Sequence, residues 1–195
     1  MFIPRTRAQA GFTLIEILVA LVLITLLAAG IALSFDGARS RAQTLINTMS
    51  ELASANVRLK NDTGCYADAP ALLFDSTLAA NAGANFCGKN LSATWNGPYV
   101  APFTLQGTGV AALVDLDKVA DGAALDFGRV SAAGGAWGTT GRKYIVAATG
   151  LPEDIVKAAL MECNGSASDA ADFQGRKCRG NAANGTFDML FDETR

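Results

Sequence analysis

The chain is 195 residues long, half of them hydrophobic, with 16 basic and 18 acidic side chains and no histidine. That length suits one domain, and the apolar content is enough for a core. The missing histidine excludes Ser-His and Cys-His nucleophile pairs, no Gly-rich phosphate loop with its lysine occurs, and the acidic balance of residues 61–195 gives no encouragement to a nucleic-acid partner, which wants a basic patch.

The N-terminus is basic, with Arg5 and Arg7, and an uncharged run of nineteen residues extends from Ile17 to Phe35. At about 1.5 Å per residue a helix of that length reaches roughly 28 Å, the thickness of a bilayer core, with the arginines on the cytoplasmic side. A secretory signal peptide has a shorter apolar stretch closed by a small-residue cleavage site, whereas here Gly11 precedes the run. A plain membrane anchor has no use for Glu16, because a carboxylate costs about 2 to 3 kcal/mol at the centre of a membrane helix and somewhat less near the interface.

The segment Gly11, Phe12, Thr13, Leu14, Ile15, Glu16, followed by Ile17, Leu18, Val19, Ala20, Leu21 and Val22, resembles the prepilin signal of type IV pilins and of the pseudopilins of type II secretion systems. The resemblance covers residues 5 to 32. It implies that an inner-membrane aspartyl prepilin peptidase cuts between Gly11 and Phe12, removes residues 1–11 and methylates the new amine of Phe12. A glycine before the cut lets a protease approach the backbone closely. The resemblance also implies that Glu16 pairs with the N-terminal amine of a neighbouring subunit, so that two charges in an apolar medium neutralise each other. Residues 12–35 become a transmembrane and assembly helix. Many type IV pilins have a proline about 22 residues into the mature chain; here Leu33 stands there, and any local melting of the helix rests on Gly30.

From Ala38 to Lys60 there is no Pro or Gly, and Ala42, Leu45, Ile46, Met49, Leu52, Ala53 and Val57 fall close to helical spacing. Residues 36–60 are therefore expected to continue the helix as an amphipathic segment, broken by Asn61, Asp62, Thr63 and Gly64.

Residues 61–195 carry ten basic and fifteen acidic side chains and all four cysteines. The cysteine spacings do not match zinc ligation, and an even count in an exported domain favours two disulfides. Three connectivities exist. Local pairing, Cys65 with Cys87 and Cys163 with Cys178, is preferred because each pair brackets a loop-like stretch, and the sequence leaves the others open. Expected strands are Ala124–Val130, Lys143–Ala148 and Thr186–Phe191, with Gly134 and Gly135 between the first two; Leu151–Leu160 reads as a short helix opened by Pro152 and two acids. The fold expected is α+β and pilin-like, a long N-terminal helix packed on a small antiparallel sheet.

Two further pieces look like family landmarks. The turn Asp62, Thr63, Gly64, Cys65, Tyr66 lies at the helix exit. Trp95, Asn96, Gly97, Pro98, Tyr99 resembles an element found after the helix in pseudopilins and many pilins, and also reads as a buried aromatic pair around a turn. The stretch from Thr149 through Cys163 to Cys178 resembles pilin C-terminal regions in which a disulfide pins a surface loop.

No enzyme and no cofactor are expected. Asp115, Asp117, Asp121 and Asp126, or Asp169 and Asp172, offer calcium as a minor option beside a solvated acidic surface, although neither group matches an EF-hand. The functional expectation is a major or minor pilin of a type IV pilus, held single-pass in the inner membrane before assembly and extracellular afterwards. Its partners would be itself or other pilins, the prepilin peptidase and the assembly platform. A periplasmic type II secretion pseudopilin and a membrane-anchored periplasmic binding protein are the alternatives.

Overall fold

A computed structural model describes residues 14–131, 142–169, 173 and 176–194, with side-chain burial not described at 28–36, 131 and 194. Helix α1, Leu14–Thr63, holds 50 residues. The chain divides into two compact units after Gly37. Among the described residues no helix is long and apolar enough to cross a membrane; the span expected over 12–35 extends beyond them, since Phe12, Thr13 and the side chains of 28–35 are not described.

Within the second unit, the apolar stripe of α1 buries Ala42, Leu45, Met49, Leu52 and Leu59 completely. Each leucine so buried contributes about 1.5–3 kcal/mol relative to exposure. Three details of the stripe differ from expectation. Ile46 and Val57 are only half-buried, and Asn56 takes a fully buried place. The helix also runs through Asn61, Asp62 and Thr63, because Thr63 Oγ1 turns back to donate to Leu59 O (2.8 Å). Gly64, at φ 78°, then ends it and donates to Lys60 O (2.7 Å).

The sheet has six antiparallel strands: β1 (Leu105–Gln106), β2 (Leu113–Asp115), β3 (Ala124–Ser131), β4 (Arg142–Thr149), β5 (Cys178–Asn181) and β6 (Thr186–Thr194). Their spatial order is β1-β2-β3-β4-β6-β5. The expected strands are present and longer than the sequence suggested, and β1, β2 and β5 are additional. Gly134 and Gly135 lie outside the described residues. Helix α2, Glu153–Asn164, starts after Pro152 and not at Leu151, and it extends four residues past Leu160 to a left-handed cap at Gly165 (φ 72°).

One core cluster joins the α1 stripe to Leu125, Val146, Ala148 and Phe187 of the sheet and to Ile155, Val156 and Leu160 of α2. Ile145 points to the opposite face and packs with Phe173, so that Tyr144, Ile145 and Val146 are all buried in succession. The register of β4 against β6 shifts between Tyr144 and Ile145. The architecture is an N-terminal helix followed by a six-stranded antiparallel sheet, an α+β fold consistent with a pilin-like one.

Candidate processing and assembly site

Gly11 and Phe12, the expected cleavage and methylation residues, lie outside the described residues. Glu16 lies in the first turn of α1. All side chains from Leu14 to Leu27 are exposed, including Leu14 at 82% and Leu27 at 69%, and Glu16 is the one charged residue among them. A carboxylate in a first helical turn is favoured by the partial positive charge of that end. The apolar residues are not confined to one face, as they would be on a helix packed against its own domain.

The Trp95–Tyr99 element is built on the far end of α1. Trp95 Nε1 donates to Leu72 O (2.9 Å), and Tyr99 N donates to Leu73 O (2.8 Å). The Tyr99 hydroxyl donates to Asp62 Oδ2 (3.0 Å) and accepts from Asn96 N (3.0 Å), while the Arg58 guanidinium donates to Tyr99 O. The two rings meet edge to face at 5.7 Å. Gly97 is required between them, since a Cβ there would lie 2.6 Å from the Trp95 ring. The Gly97–Pro98 peptide is cis. The element is thus a clamp that holds the 70–73 turn and the helix end together.

Both disulfides are local: Cys65–Cys87 closes 22 residues and Cys163–Cys178 closes 15. In the chain-entropy account each is worth about 3 kcal/mol. A buried or half-buried asparagine organises the backbone beside each. Asn85, 4% exposed, accepts from Cys87 N (3.1 Å) and donates to Lys89 O (2.7 Å). Asn164 donates to Cys178 O (2.9 Å) and accepts from Cys178 N (3.3 Å). Asparagine amides recur in turns anyway, and nothing in the residue pattern singled these out.

At the exit of α1, Tyr66 donates to Asp192, and Lys60 Nζ lies 3.5 Å from the same carboxylate and 5.0 Å from the Tyr66 ring. Burial first, then the Asp192 hydrogen bond and charge, raises the Tyr66 hydroxyl above its ordinary value. Burial also acts to raise Asp192, but the bonds from Tyr66 and from the Glu193 backbone and the Lys60 charge leave it below the usual carboxylate range. This triad ties the helix exit to the last strand, and it is not legible in the sequence because Asp192 lies 126 residues from Tyr66 and 132 from Lys60.

Of the acidic positions weighed for calcium, Asp115 accepts from Gln106 Nε2 (2.9 Å) and Asp117 N (3.2 Å), and Asp126 accepts from Phe127 N (2.8 Å). Asp169 caps Ala182 N (3.0 Å). Among the described residues no three His, Cys, Asp or Glu side chains gather as a metal site requires. Asp172 lies outside them.

Compared with known proteins, residues 6–32 match the family described as the prokaryotic N-terminal methylation motif. No curated protein and no solved structure matches the chain. The matched segment contains Gly11, Phe12 and Glu16 and overlaps the exposed apolar start of α1. The chain therefore carries the prepilin-type signature of type IV pilins and pseudopilins.

Proposed function

We propose that the protein is a structural subunit, major or minor, of a type IV pilus, made as a precursor and assembled from the inner membrane. The observation that carries this reading is the methylation motif at 6–32 running into a helix whose side chains 14–27 are exposed and, apart from Thr25 and the one carboxylate Glu16, apolar. Prepilin peptidase cuts between Gly11 and Phe12 and methylates Phe12. The new amine then gives Glu16 of an adjacent subunit a countercharge, and the apolar helix exchanges lipid for neighbouring helices. Pairing offsets the cost of holding a carboxylate in an apolar medium, and it fixes the axial register of subunits. Two disulfides suit a head that works in an oxidising compartment.

The sequence Trp95, Asn96, Gly97, Pro98, Tyr99, which resembles an element of pseudopilins and many pilins, leans towards the pseudopilin alternative. Immunogold labelling with antibody to the head separates the two. Label along long surface fibres supports the pilus, and label confined to the periplasm supports the secretion apparatus.

A further inference from the structure

The sequence contains three Asn-Gly pairs, at 96–97, 164–165 and 184–185. Asparagine followed by glycine is chemically labile, because no Cβ hinders attack of the glycine nitrogen on the asparagine side chain. The fold treats the three pairs differently. Asn164 is held at both ends of its amide by the Cys178 backbone (2.9 and 3.3 Å), and Gly165 N donates to Met161 O (2.9 Å). Gly185 is buried and donates to Ala182 O (3.3 Å), which ties up the nucleophile of the third pair. Asn96 is exposed, and among the described residues neither its side-chain amide nor Gly97 N–H has a hydrogen-bond partner.

We infer that Asn96 is the site of spontaneous deamidation in the folded head. The Gly97 nitrogen, having given its proton to hydroxide, attacks Cγ of Asn96. The new C–N bond closes a succinimide as the Cγ–NH2 bond breaks, and the leaving nitrogen takes a proton from water, departs as ammonia and regenerates the hydroxide. Water then opens the ring at either carbonyl, producing aspartate or isoaspartate without any oxidant or cofactor. The product carboxylate lies in the shallow depression lined by Arg58, Asp62, Pro98 and Tyr99. Isoaspartate also lengthens the main chain by one methylene between Trp95 and Gly97, and Gly97 packs closely against the Trp95 and Tyr99 rings. The modification therefore loosens the clamp on the end of α1, and Asn96 acts as an ageing point of the head.

The test incubates the detergent-solubilised full chain at mildly alkaline pH, with peptide mass mapping of the three pairs and isoaspartyl-specific carboxyl methylation as the second readout. A urea-unfolded sample runs in parallel. Since each protecting hydrogen bond must open before attack, Asn96 should convert at least about tenfold faster than Asn164 in the folded chain. In urea the three rates should converge, and Asn96→Gln should remove the dominant isoaspartyl signal. Conversion of Asn164 or Asn184 as fast as Asn96 in the folded chain would overturn the assignment. So would an intact Asn96 amide over the time in which the unfolded chain converts all three.

Discussion

Asn56 and Ala67 are joined twice, Asn56 Nδ2 donating to Ala67 O at 3.1 Å and Ala67 N donating to Asn56 Oδ1 at 2.7 Å. The amide serves a buried backbone segment as a neighbouring strand would, from the side of a helix. Asn56 is fully buried, so removing it leaves both Ala67 groups without partners or water.

Asn56→Ala should therefore destabilise the protein by about 2–4 kcal/mol, the cost of two buried unsatisfied groups and a small void. Chemical denaturation reads the loss. Asn56→Asp should be at least as harmful, because it keeps the size, loses the donor and buries a charge. Retention of full stability by either variant contradicts the bonding scheme.

The Tyr66 hydroxyl is held above the ordinary value of 10.0, first by burial and then by Asp192. The native state thus keeps this proton when the unfolded chain has begun to release it. Stability from neutral Tyr66 is complete below the unfolded value and declines as pH rises through and past 10.0. A series of melting temperatures at alkaline pH should show that decline, and Tyr66→Phe should make it shallower. Some decline persists in the variant, because burial also raises Tyr99.

Gly185 combines a φ of 63° with a crowded site, for a Cβ there would lie 2.5 Å from Leu151 O. Gly185→Ala should cost about 2–4 kcal/mol from backbone strain and displacement of the Leu151–Gly185 hydrogen bond. Gly88 has a similar φ, 67°, but open surroundings. Gly88→Ala should cost about 1–2 kcal/mol, the strain alone. Equal losses in the two variants, measured by thermal unfolding, would count against the close approach of Gly185 to Leu151.

The helical stripe at Ala42, Leu45, Met49 and Leu52 was legible because an amphipathic period persists over many residues without Pro or Gly. Strands β3, β4 and β6 were legible from β-branched and aromatic runs. Strands β1 and β2 were not, since two and three residues carry no readable alternation. Four-residue β5 is Cys-Arg-Gly-Asn, poor in strand formers, and is held by pairing with β6 and by the disulfide at Cys178. The processing motif was legible because it is a contiguous chemical signature. Asn56, Asn85 and the Tyr66–Asp192 contact were not, because polar residues gain such partners only through tertiary packing.

Glu16→Val should leave cleavage after Gly11 intact and abolish filament assembly, since the variant keeps the glycine and the apolar helix but loses the carboxylate proposed as the countercharge of the Phe12 amine. Western blotting resolves precursor from mature chain, and shearing of cells releases any filaments. Sheared filaments built from the variant at the normal amount would refute the pairing.

Mass spectrometry of the N-terminal peptide of the mature protein, purified from its native membrane or filament, addresses processing itself. The expected terminus is N-methylated Phe12, with residues 1–11 absent. A mature chain that begins at Met1, or after residue 30 as a secretory signal peptide would leave it, contradicts the account.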